Sequence, residues 1–189
     1  MPVTNGDFPL RFLDAGADLG ELSVVERHYR DLEGRSIESA AALEAWLLDW
    51  AELDAWLDEE ESVRYVEMTC HTDDALREKA YLSFIENVSE PAKAWSNKLD
   101  RKYLANAHRA RLDRARYDIL NRQIENRVAI FREENLPLET QDEKLRQSYQ
   151  KIVGGMSVNY DGREQTMQEL ARYLENPDRA IRQETWEKS

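Results

Sequence analysis

The sequence predicts a mostly α-helical protein, built of long antiparallel helices with one small β-hairpin near residues 156–166. Three observations carry that reading. Residues 35–153 contain no glycine and only two prolines, Pro91 and Pro137, so the main helix breakers are nearly absent from 119 consecutive positions. Within that stretch apolar residues recur at three- and four-residue steps, the period of one helix face. After it, MSVNYDGREQT alternates Val158 and Tyr160 with Ser157 and Asn159 and then reaches Asp161-Gly162, a two-residue hairpin turn.

The elements follow in chain order. SVVERHYRDLEG reads as a short first helix, with Ser23 as N-cap, Glu26 closing a capping box and Gly34 as the stop. A long second helix covers residues 36–68, where Leu43, Trp46, Leu47, Trp50, Leu53 and Leu57 form an amphipathic stripe. Tryptophans at helical spacing are core residues before they are ligand-stacking ones, so Trp46 and Trp50 are expected to face inward. CHTDD (70–74) breaks this helix, with Thr72 as the next cap and Asp73 and Asp74 suited to the positive end of the helix dipole. Pro91 fits the first turn of a further helix. That helix is expected to run to about Asn135, kinked near Asn106, with Leu120, Ile124, Val128 and Phe131 on one face and Pro137 ending it. A helix capped by Thr140 and Glu143 should end at Gly154-Gly155. The hairpin comes next, then a Thr166–Glu169 capping box, and a last helix with Asn176 as cap and Pro177 at its first position.

Charge and composition exclude several classes. The formal net charge of −12 argues against nucleic acid as a partner, because phosphates would be repelled. The imbalance is local: residues 1–78 hold 20 acidic and 6 basic side chains, whereas residues 79–135 hold 8 and 12. Two solvated helix faces are the expected reading of this imbalance, with an acidic helix packed near a basic one as the alternative. The single cysteine, Cys70, forms no intrachain disulfide, which suits the cytoplasm. The N-terminus lacks the basic and apolar regions of a signal peptide, and no apolar run reaches the length of a membrane span.

A search for chemistry finds no active site. The three histidines, His28, His71 and His108, are followed by Tyr29, Thr72 and Arg109, so the H-E-x-x-H zinc helix is absent. Val25, Met68 and Ala105 stand three residues before them, so the E-x-x-H motif of di-iron bundles is absent too. Cys70 and His71 are sequence neighbours and do not face each other on a helix. Cys70 is expected to be buried and His71 exposed. No P-loop, G-x-G-x-x-G or G-x-S-x-G occurs.

The segment FREENLPLETQDEKLRQSYQKIVGGMSVNYDGREQTMQELARYLENPDRAIRQETWE resembles the N-terminal region of oligoendopeptidase F-type zinc metallopeptidases, the thermolysin-like H-E-x-x-H oligopeptidases. The resemblance lies in the order and spacing of Phe131–Leu138, Ser157–Gly162, Thr166–Leu170 and Pro177–Trp186. Trp50 and the break at residues 65–73 extend it upstream, although Cys70-His71-Thr72-Asp73 departs from the family pattern in detail.

The resemblance implies a helical N-terminal lobe over residues 1–136. It also implies a helix–hairpin–helix segment, 137–189, leading into a catalytic lobe absent from this chain. The parent would hydrolyse short peptides with zinc-activated water and a glutamate base. No position here matches those zinc ligands or that base, so no catalytic, cofactor-binding or metal residue is assigned in this chain. It is expected to be a fragment, inactive alone. Its expected partners are the missing catalytic lobe or, through residues 156–189, a second copy. The alternative is a freestanding helical protein-interaction module.

Overall fold

The computed structural model describes residues 10–14, 16 and 18–189. It is mostly helical, with one two-stranded antiparallel sheet, as the sequence predicts. The chain divides into two compact units, residues 1–140 and 141–189.

The first unit begins with α1 (Leu22–Gly34), capped by Glu21 rather than Ser23. The acidic residue two positions earlier takes the extended capping conformation but makes no side-chain capping bond. The far end of α1 is closed from a distance, because Lys102 Nζ donates to the carbonyls of Leu32, Glu33 and Arg35 at 3.0, 2.5 and 2.6 Å. A cation on the exposed carbonyls complements the negative end of the helix. Upstream of α1, Glu52 accepts from the backbone N–H groups of Arg11, Phe12 and Leu13 at 2.8, 3.0 and 2.8 Å, tying that segment to the next helix.

α2 (Ala40–Cys70) is 31 residues long, about 46 Å at 1.5 Å per residue. Ser39 caps it by accepting from Ala42 N–H at 3.0 Å. Its stripe is the heart of the core: Leu43, Trp46, Leu47, Trp50 and Leu53 are buried, and Trp56 and Leu57 pack at the margin. Trp46 and Trp50 lie 5.3 Å apart, centroid to centroid, and Trp46 Nε1 donates to Leu32 O at 2.9 Å. Cys70, expected inside, is exposed because it stands in the last turn of α2, beyond the small cluster of Met68, Tyr81 and Ile85. His71 is exposed, as expected.

Asp74, not Thr72, caps α3 (Ala75–Phe84), accepting from Leu76 and Arg77. Two acidic candidates follow Thr72, and the carboxylate nearest the helix wins. Pro91 stands in the first turn of α4 (Glu90–Ala105), but no loop precedes it. The chain continues from α3 as a π-helical turn, Ile85–Ser89, and Glu90 N–H donates back to Ile85 O, five residues earlier. A proline ring clashes with the carbonyl four residues before it, and the wider π turn makes room for it without ending the rod.

At Asn106 the structure breaks where the sequence suggested a kink. Asn106 is extended, a 3-10 turn covers Ala107–Arg111, and Asp113 caps α5 (Arg114–Ile130). α5 stops seven residues before Pro137. That proline opens α6 (Leu136–Gly154) instead of closing α5, since the first helical turn needs no N–H. Thr140 lies inside α6 and returns its hydroxyl to Leu136 O at 3.1 Å, so it is no cap. In this unit α1 packs on α4, α4 on α5 and α2 on α3.

The second unit carries the end of α6 and the hairpin β1 (Ser157–Tyr160) and β2 (Arg163–Thr166), in the register Ser157↔Thr166 to Tyr160↔Arg163. Asp161 and Gly162 adopt φ of 53° and 75°, the two positive values of a type I′ turn. Gln165 is buried and donates to Tyr160 O at 2.7 Å, closing the hairpin from within. The Thr166–Glu169 capping box starts α7 (Met167–Ala171) as expected. Asp178, not Asn176, caps α8 (Arg179–Lys188) by accepting from Ala180 at 2.8 Å, while Asn176 accepts from Asp178 N–H one turn earlier. Pro177 therefore precedes α8. Trp186 on this last helix is 72% exposed.

Candidate functional site

In the first unit a cleft of about 290 Å³ lies between α2 and α5. Its apolar wall comes from Leu47, Leu48 and Ala51 on α2 and Leu120 on α5, with Trp50 and Tyr117 as aromatic faces. Asp54, Arg116 and Arg127 supply its charges. The helical repeat explains the composition. Asp54 follows Trp50 by four residues and shares its face, so a carboxylate is set beside the core stripe. Arg127 follows the buried Ile124 by three residues, beside it on α5, and reaches Asp100 on α4.

Both guanidinium groups are engaged. Arg127 reaches the buried Asp100 on α4 through Nε (3.1 Å) and Nη2 (2.6 Å), a two-point pairing of planar partners. Arg116 Nη1 donates to Glu44 Oε1 at 2.6 Å, and the Tyr117 hydroxyl donates to the same oxygen at 2.6 Å. Asp54 is served less well. The Tyr29 hydroxyl lies 3.4 Å from its Oδ1 but only 2.9 Å from Ser96 Oγ, so the better partner of that hydroxyl is the serine.

The titration behaviour follows from this arrangement. Burial pushes the Asp54 carboxyl up to about 7; Asp58 and Asp100 push the same way, and Arg127 and the Tyr29 hydroxyl oppose them. Tyr29 is raised by its own burial first and by Asp54 second. The hydrogen bonds to Asp100 hold the Arg127 proton more firmly than usual. Trp50 is buried, and its Nε1–H donates to no acceptor among the described residues.

The histidines do not gather. His28 is buried on α1 with Nδ1 2.8 Å from Val24 O, His71 caps the end of α2, and His108 sits in the 3-10 turn. No group of three or more His, Cys, Asp or Glu side chains able to hold a metal occurs among the described residues. The described side chains therefore do not fit a zinc ion. The sequence reading assigned no site residue and so missed the cleft. One signal was present: Asp54 stands on an apolar stripe. The pairing of Asp100 with Arg127, 27 residues away, needed the tertiary fold.

Fold and site define a class: an all-helical domain with an appended hairpin, presenting an ion-paired cleft. The family comparison then identifies it. The chain belongs to the Peptidase M3 N-terminal domain family, whose sequence model matches residues 21–131. The matched range runs from the N-cap of α1 to Phe131, the C-cap of α5, so it takes in both walls of the cleft. The hairpin and most of the segment Phe131–Trp186 lie outside it. Comparison with curated proteins gave no match, and comparison with solved structures gave none. No described helix is long and apolar enough to cross a membrane.

Proposed function

We propose that this chain is the non-catalytic N-terminal portion of a zinc-dependent oligopeptidase of the oligoendopeptidase F type, which hydrolyses short peptides in the cytoplasm. The observation that carries the reading is the family match over residues 21–131, spanning α1 to α5. The spacing of the motifs from Phe131 to Trp186 supports the finer assignment. On this reading residues 1–136 are a helical lobe, and residues 137–189 lead into a catalytic lobe that supplies zinc, its ligands and the glutamate base. The chain alone neither cleaves peptides nor holds zinc stoichiometrically.

Metal analysis of the dialysed chain, beside a quenched-peptide assay with added zinc, tests this directly. No hydrolysis and less than one zinc per chain are expected. One tightly held zinc with chelator-sensitive hydrolysis would overturn the reading. Sequencing past the codon for Ser189 tests the family assignment separately, since an in-frame H-E-x-x-H motif is expected there.

A further inference from the structure

We propose that the cleft between α2 and α5 binds a small organic ammonium ion carried on an apolar body, with Asp54 as its counterion. Every residue of this site belongs to the chain itself, and none is a residue of the proposed catalytic lobe.

The charged lining of the cleft is Asp54, Arg116 and Arg127; behind it Glu44 and Asp100 bond the two arginines, and Asp58 stands near Asp54. Each arginine already has a short carboxylate partner, Glu44 for one and Asp100 for the other. The negative charge left over sits on Asp54 and Asp58. Of these Asp54 lines the cleft, and its hydroxyl neighbour Tyr29 is 3.4 Å away and turned to Ser96. An incoming ammonium supplies three donors to a carboxylate short of them. The rest of the wall, Leu47, Leu48, Ala51 and Leu120 with the Trp50 and Tyr117 rings, suits an apolar or aromatic body rather than a hydrated metal ion. An anion would meet guanidinium groups that are already paired and the carboxylate of Asp54. The volume limits the guest to about one ring and a short arm.

The groups facing Asp54 are Tyr29 from α1, Asp58 on α2, Asp100 from α4 and Arg127 from α5. Asp54 must be ionised to pair with the guest, and burial resists that ionisation. Affinity is therefore expected to rise with pH between 5 and 8.

The test is titration of the full chain with phenethylammonium, followed by amide and indole N–H spectra. The Trp50 indole serves as a reporter inside the wall. Saturable shifts are expected over residues 47–54 and 116–127, at least fivefold tighter at pH 8 than at pH 5. They should weaken at least tenfold with the neutral isostere 2-phenylethanol. D54N removes the counterion and should lose at least tenfold. A51F fills the cleft without touching a charge and should abolish binding. Phenylalanyl-alanine amide and N-acetyl-lysine methylamide separate the two sources of such an ion, a peptide N-terminus and a lysine side chain; saturable, Asp54-dependent shifts with either support the proposal and name the source. Equal binding of 2-phenylethanol, tighter binding of phenylacetate, unchanged affinity in folded D54N, or no saturable shift with phenethylammonium would each overturn the proposal.

Discussion

Replacing Asp54 by Asn should stabilise the protein at neutral and alkaline pH and leave it nearly unchanged in acid. The carboxyl titrates near 3.8 when unfolded and at about 7 in the folded chain, pushed up first by burial and then by Asp58 and Asp100. Below pH 3.8 both states carry the proton, so the group contributes nothing to the balance. Between 3.8 and 7 the unfolded chain releases the proton while the folded chain keeps it. Stability therefore falls as pH rises through this window, and the deficit is complete above about 7. Three pH units correspond to about 4 kcal/mol at roughly 1.4 kcal/mol per unit. The cleft is open to water on one side, which screens the charge, so a gain of about 2 kcal/mol is expected for D54N at pH 8. Asn keeps the shape and can still accept from the Tyr29 hydroxyl. The assay is urea unfolding of both proteins at pH 4.5 and pH 8, with m-values compared so that midpoints can be read as stability. Other acid-sensitive groups cancel in the difference between variant and parent. A D54N midpoint below the parent's at pH 8, or a difference that does not grow between the two pH values, would refute the electrostatic reasoning.

Three further outcomes follow from the same structure. Trp50→Ala should cost about 3–5 kcal/mol in urea unfolding, because a ring 4% exposed is removed from the centre of the α2 stripe; an unchanged midpoint would place the ring outside the core. Glu52 is depressed despite its burial, which alone would raise it, by the N–H groups of Leu13, Arg11 and Phe12; its stabilisation is therefore present above pH 4.5 and lost as pH falls below it. Glu52→Ala should cost about 2 kcal/mol and speed hydrogen exchange at those three amides, and unchanged exchange there would count against the tie. Residues 156–189, with Trp186 and Leu174 exposed and a two-stranded sheet with open edges, should be the least protected part of the chain at low concentration, or gain protection at high concentration by self-association. Uniform protection in a strict monomer would exclude both.

What the sequence made legible was periodic or local. The run from Leu43 to Leu53 needs one face of one helix, and the Asp161-Gly162 turn needs only two residues with positive φ, so both were readable without the fold. Caps were not. Ser23, Thr72 and Asn176 each stand two residues from the cap the helix uses, Glu21, Asp74 and Asp178, and α6 begins at Leu136, four residues before Thr140. Such slides change the local energy little, and packing of the helix decides between them. Pro91 shows the same limit from the other side. A proline in sequence signals a helix start, but the π turn at Ile85–Ser89 lets the chain run on from α3 into α4, the helix that carries Ser96 and Asp100 near Tyr29 and Asp54.

That neighbourhood separates a structural from a functional account of Asp54. The Asp100–Arg127 pair is complete without it, and the Tyr29 hydroxyl has Ser96. If Asp54 served packing alone, an uncharged residue of the same size would serve better at neutral pH, as the D54N difference is expected to show. A residue expected to lower stability above pH 7, with its partners satisfied elsewhere, fits a group kept for what it binds. The two measurements are therefore coupled. D54N should gain stability and lose the ammonium guest together, whereas a gain in stability with binding intact would leave the carboxylate without a role in the cleft.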